Sequence, residues 1–130
     1  MAEGLVKVSS AFSYTKTADR LERAITAHKI ALVAAVDHAG AAEKAGLSLR
    51  PTKVFIFGNP KGGTPLMQAA QTIGIDLPLK ALVYEDESGQ TWVAYNDPAW
   101  LAGRHGVKGE DAAVAALGAA LAAIASAAAA

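Results

Sequence analysis

The chain has 130 residues, 52% of them apolar and 18% charged, with twelve Lys plus Arg balancing twelve Asp plus Glu. One domain of this size buries enough surface to stand without staples, and a zero net charge supplies no field to draw nucleic acid or an anionic membrane. No cysteine is present, which excludes disulfides, thiol catalysis and cysteine-bound zinc.

MAEGLVKVSS has no basic stretch leading into an apolar one, so no secretory leader is expected and the cytoplasm is the expected compartment. Leu5 to Phe12 reads as a first strand. Thr17 can cap a helix over residues 18–29, where Leu21, Ala24, Ile25 and His28 share a face. Ile30 to Val36 is a short apolar run and a second strand. A short helix over 39–45 then stops at Gly46. Lys53 to Phe57 is a third strand, introduced by Pro51.

FGNPKGGTPLMQ follows, a Gly-rich connection in which Thr64 can cap a helix and Pro65 can take its first position. Leu66, Ala69, Ala70 and Ile73 supply that helix's face. Leu79–Tyr84 and Thr91–Tyr95 flank the polar turn Glu85-Asp86-Glu87-Ser88-Gly89, which predicts a β-hairpin. Pro98 starts a short helical stretch. The alanine-rich end carries Val114, Leu117, Leu121 and Ile124 at steps of three and four, a narrow stripe on a helix. That segment is long enough to span a bilayer but has few large apolar residues and no interfacial anchors, so a helix outside the membrane, packed on the chain's own sheet or on a partner, is expected.

The hairpin demands antiparallel pairing, so the pattern predicts an α+β domain: a curved, mainly antiparallel sheet with helices on one face. Strands such as ALVAAV and VFIF are apolar on both sides of the pleat and need both faces covered. A homodimer is expected on that ground.

DHAGAAEKAGLSLRPTKVFIFGNPKGGTPLMQ followed by IDLPLKALVYEDESGQTWVAYNDP resembles the DUF302 family of small bacterial and archaeal proteins. The marks are Asp37-His38-Ala39 with Ala42, Arg50-Pro51, Phe57-Gly58-Asn59-Pro60 with Thr64 and Met67, Leu77-Pro78, and Tyr95 with Asp97-Pro98. The similarity runs from about Tyr14 to Gly106, which sets the expected domain at 1–106 and leaves 107–130 as a helical extension. What the resemblance implies is a compact fold like half of a TATA-binding protein, a tendency to pair, and no agreed activity. Fold likeness to a DNA-binding module carries no DNA binding with it.

The Gly-rich connection is not a nucleotide loop. A phosphate-binding P-loop needs Lys followed by Ser or Thr after its last glycine, and here Thr64 stands where that Lys belongs. A strand-to-helix turn, or a simple anion on the helix N-terminus, remains. His38 follows a strand beside Asp37 and is the most promising titratable side chain, as a base, a ligand contact or a helix-start histidine bonding its own loop. No histidine spacing suits a metal, no serine sits in a nucleophile elbow, and no cofactor is expected.

Three readings follow. The first is a homodimeric small-ligand-binding or stress-associated module, holding a small or anionic molecule with His38, Asn59, Thr64 and Tyr95 over Phe57 and Trp92. The second is a small enzyme with His38 as acid or base and Asp97 orienting it. The third is a structural partner protein in which these residues only stabilise turns.

Overall fold

A computed structural model describes residues 2–130. Five strands form one sheet in the order β1-β5-β4-β3-β2: β1 (Leu5–Ser9), β2 (Ala31–Asp37), β3 (Thr52–Gly58), β4 (Leu79–Glu85) and β5 (Thr91–Asn96). Every neighbouring pair is antiparallel. The expected α+β class and antiparallel sheet are what the chain adopts.

The pleat divides the strands. Phe55, Phe57, Leu79, Ala81, Val83, Val93 and Tyr95 point to one face and are buried. Helices α1 (Tyr14–Ala27) and α5 (Asp111–Ala129) cover that face with Leu21, Ala24 and Ile25 from the first and Leu121, Ile124, Ala125 and Ala128 from the second. Burying each large aliphatic side chain contributes roughly 1.5–3 kcal/mol. The alanine-rich helix is therefore part of the domain and not an extension beyond residue 106. Alanine suits it because two helices and a sheet converge there, and small side chains permit close approach.

Two caps differ from expectation for one reason: a cap-like residue also occurs one or more turns earlier. Ser13, not Thr17, caps α1 by accepting the Lys16 N–H. Thr17 is fully buried, its hydroxyl donating to the Ser13 carbonyl at 2.8 Å and lying 2.7 Å from Ser10 Oγ. Similarly Asn59, not Thr64, caps α3 (Pro60–Ala69), and Pro60 takes its first position. The glycines that looked like a loop are the first turn of that helix. Pro65 falls inside it, where it forfeits a bond to the carbonyl four residues earlier.

The remaining elements are α2 (His38–Lys44), a 3-10 turn (Gln71–Ile75) and α4 (Pro98–His105). Leu66, Ile73 and Leu101 form a second apolar cluster beneath α3 and α4. Leu77 and Leu117 touch both clusters and mark the seam between them. The other edge of the sheet, β2, is exposed along its whole length.

Candidate functional site

Asn59 follows β3 and closes the N-terminus of α3 by itself. Its side-chain oxygen accepts the Lys61 N–H at 2.9 Å, and its carbonyl accepts the Gly62 and Gly63 N–H groups at 2.9 and 3.1 Å. Pro60 has no N–H to offer. An anion at a helix terminus is held by free backbone donors, and here the first turn has none left. The anionic ligand admitted by the sequence thus has no cradle at this terminus.

What lies beside that turn is a cavity of about 310 Å³. Its walls are Met67, Leu77, Pro78, Leu79 and Leu117, with Val33 from the edge strand. Asn59 and Thr64 form its polar edge, and among the described residues no charged side chain lines it. Two glycines bring the walls together. A Cβ on Gly62 would stand 3.2 Å from Leu117, and one on Gly63 3.4 Å from Leu77. The glycines of FGNPKGGTPLMQ serve close packing of α3 against α5 and the Leu77-Pro78 turn, whose peptide is cis.

The other candidates are not at this cavity. Asp37 pairs with Lys53 at the start of β3, whereas Ala31 pairs with Gly58 at its end. His38 and Asn59 are therefore separated by the length of the strand, roughly 20 Å at about 3.4 Å per residue. His38 is exposed at the start of α2, which Asp37 caps through the Gly40 N–H. Tyr95 is buried in the core on the helix-covered face, its hydroxyl pKa raised by burial and then by the charge of Asp97. Asp97 caps α4 by accepting the Ala99 N–H. Phe57 and Trp92 lie on opposite faces of the sheet, because Phe57 opposes Leu79 and Trp92 opposes Tyr84, an odd number of residues apart on β4. A single pocket built from His38, Asn59 and Tyr95 over those two aromatics does not form within one chain. Nor does a His38–Asp97 pair.

A shallower groove runs near His38, lined by Tyr14, Asp37, Glu43, Leu47 and Pro51, but His38 is not in its wall. Burial first, and the Asp37 charge second, raise the Tyr14 pKa there. Among the described residues no three His, Asp or Glu side chains gather to hold a metal.

One constellation escaped sequence reasoning. Asp76 accepts from His105 Nε2 at 2.5 Å and from Arg104 Nη1 at 2.8 and 3.1 Å. With Nε2 facing the carboxylate, the other ring nitrogen, Nδ1, lies 2.9 Å from the Thr72 hydroxyl. Burial pushes the Asp76 pKa up, but the His105 hydrogen bond and Arg104 together outweigh it and hold the carboxyl below its usual value. This clamp fastens the Gly74–Pro78 segment, which walls the cavity, to the end of α4. Its partners stand 28 and 29 residues apart, with no local pattern to announce them.

Fold and cavity together define a single-domain α+β protein with one helix-covered antiparallel sheet and an apolar cleft at its strand ends. The chain matches the family described as "Domain of unknown function DUF302" over residues 6–127, and it belongs to that family. The match takes in α5, which the sequence reading left outside. A crystal structure of an uncharacterized conserved DUF302 protein from Bacillus stearothermophilus superposes with a TM-score of 0.86 over 97% of this chain and 98% of that one, at 20% identity. Among curated proteins, the chain is 49% identical over 102 residues to "Fluoride-specific ion channel FluC 1" of Brucella suis, covering 78% of this chain and 40% of that protein. The same identity holds for "Fluoride-specific ion channel FluC 1" of Brucella abortus, of which 38% is covered. The chain thus spans about two-fifths of the curated relatives it matches.

Proposed function

We propose that the chain is a small-ligand-binding module that holds a neutral, mainly apolar molecule in the cavity beside α3. The carrying observation is the cavity itself: about 310 Å³, apolar walls, and a polar edge of Asn59 and Thr64. Ligand sites have this composition, with apolar walls supplying affinity and a few polar groups supplying orientation. The spent N–H groups of α3 and the absence of a lining charge argue for a neutral ligand over an anion.

The channel-named relatives support an accessory role. This chain corresponds to less than half of each, and its fold is a sheet with packed helices. One helix, α5, is long and apolar enough to cross a membrane. Its Leu121, Ile124 and Ala125 are engaged in the core, however, and spanning would vacate them. That packing favours a placement outside the bilayer. A fluoride ion is not the molecule this cavity would keep, because burying an unpaired ion among Leu and Met costs many kcal/mol.

The test uses N-phenylnaphthylamine, a neutral dye that brightens in apolar sites. The natural protein is expected to bind it with micromolar affinity. Leu117→Trp, which fills the cavity, is expected to weaken binding at least tenfold while circular dichroism is unchanged. Equal dye binding by both proteins would overturn the reading.

A further inference from the structure

The two ends of the Asn59 amide have different duties at the cavity edge. Its Oδ1 accepts the Lys61 N–H at 2.9 Å, which fixes the orientation of the group and commits that oxygen to the cap of α3. The Asn59 main-chain carbonyl is full as well, accepting from Gly62 and Gly63. What Asn59 has left for a ligand is Nδ2, with two hydrogens and no acceptor among the described residues. Thr64, one turn further along α3, is the other polar residue of the lining. Thr26 spends its hydroxyl on the carbonyl four residues earlier, but the Thr64 hydroxyl makes no such bond among the described residues. The edge therefore offers two hydrogen-bond donors.

We propose that the molecule held beside α3 is a neutral carbonyl compound, a ketone or an ester, whose oxygen accepts from Asn59 Nδ2 and Thr64 Oγ while its apolar body fills the cleft. A carbonyl oxygen has two lone pairs and no hydrogen, so it can take both donors at once. An alcohol or amine brings hydrogens of its own to an edge where Asn59 has no acceptor left, and an unmet donor away from water costs more than a neutral bond returns. A carboxylate would meet the same donors, but its charge would stand against Leu77 and Leu117 with no cation in the lining.

Size bounds the apolar body. At about 310 Å³ the cavity stands at the lower end of the range for ligand pockets, which suits a medium-length chain or a pair of rings. Met67 makes one wall adaptable, and Gly74 leaves room for its sulfur, since a Cβ there would stand 3.3 Å from it. Selectivity thus falls on the oxygen and not on the shape of the chain. The inference rests on the cavity reading, for which it names the ligand class.

Four compounds of one chain length that differ in the head group test it: nonan-2-one, nonan-2-ol, nonylamine and nonanoate. Each competes with N-phenylnaphthylamine for the natural protein. Nonan-2-one is expected to bind about fivefold more tightly than any of the others, the scale of one neutral hydrogen bond. Labelled with carbon-13 at its carbonyl, the bound ketone is expected to resonate downfield of its position in hexane, as a carbonyl does on accepting hydrogen bonds. Thr64→Val and Asn59→Ser each remove one donor, and serine retains a capping oxygen. Both are expected to move that resonance upfield and weaken the ketone about fivefold with circular dichroism unchanged. Equal binding of ketone and alcohol, or a carbonyl resonance at its hexane position, overturns the proposal; the cavity reading then stands if Leu117→Trp still weakens the dye. Tightest binding by nonanoate overturns this proposal and the neutral-ligand reading together. If no compound displaces the dye and Leu117→Trp leaves dye binding intact, the cavity reading fails and the carbonyl assignment falls with it.

Discussion

His105 donates its Nε2 hydrogen to Asp76 Oδ2 at 2.5 Å, and the preceding residue, Arg104, holds both oxygens of the same carboxylate. One acidic side chain thereby ties the cavity wall to the end of α4, where a cation also suits the helix dipole. Arg104 is half-exposed and solvent screens its share, so Asp76→Asn is expected to cost about 1 kcal/mol, below the ~1.5–3 kcal/mol usual for charge-assisted bonds. Urea denaturation at neutral pH measures it.

The same clamp sets a pH dependence. The folded Asp76 pKa lies below its unfolded value, so its contribution is fully present above about pH 4 and is lost as pH falls through the lowered folded value. Stability of the natural protein is expected to drop on acidification below about pH 4 by more than that of Asp76→Asn. Identical acid profiles would refute the assignment.

At the β4–β5 turn, Asp86 accepts from the Ser88 and Gln90 N–H groups, the Ser88 hydroxyl and Trp92 Nε1. The Trp92 and Ser88 side-chain bonds are the main cause of its pKa falling to about 2. Being depressed, it supports the turn above about pH 4 and releases it as pH falls through about 2. Trp92 fluorescence is expected to shift in that window, and in Asp86→Ala to show the acid-form signal already at neutral pH.

Asn59 has two jobs that substitutions separate. Asn59→Ala removes the cap of α3 and is expected to cost about 1 kcal/mol, whereas Asn59→Asp keeps the cap and costs far less. Dye binding divides them differently, because the carboxylate introduced by Asn59→Asp would set a charge on the apolar cavity's edge. A capping-competent variant that binds N-phenylnaphthylamine more weakly than the natural protein is the expected result.

Leu121 is 1% exposed and lies between α1 and the sheet. Leu121→Ala is expected to cost about 2–5 kcal/mol by leaving a hole in the core. If α5 were an appended tail, the same change would cost almost nothing. Thermal unfolding distinguishes the two.

How much was legible in the sequence follows the range of the forces involved. The hairpin, the strand cores VFIF and ALVY and the amphipathic first helix were readable because alternation and helical spacing are local consequences of burial. The mismatch with a nucleotide-loop motif is itself a sequence property, since that chemistry requires particular residues at fixed steps. Cap positions were not, because Ser13 and Thr17, or Asn59 and Thr64, satisfy the same short-range rule, and only packing chooses between them. Tyr95 and Asp97 looked like site residues because both stand at a strand end. The pleat turned one inward, and a helix start consumed the other.

Composition, strand and helix periodicity and the family motif alone determined an α+β domain with a mainly antiparallel sheet and excluded whole classes of chemistry. Tertiary structure alone decided that the glycines near Asn59 pack two helices, that α5 lies on its own sheet and not on a partner, and that Asp76 meets Arg104 and His105. It also set His38 and Asn59 at opposite ends of one strand. Each of these depends on which residues distant in the chain become neighbours, and that is a property of strand order and register. Local spacing carries no record of it.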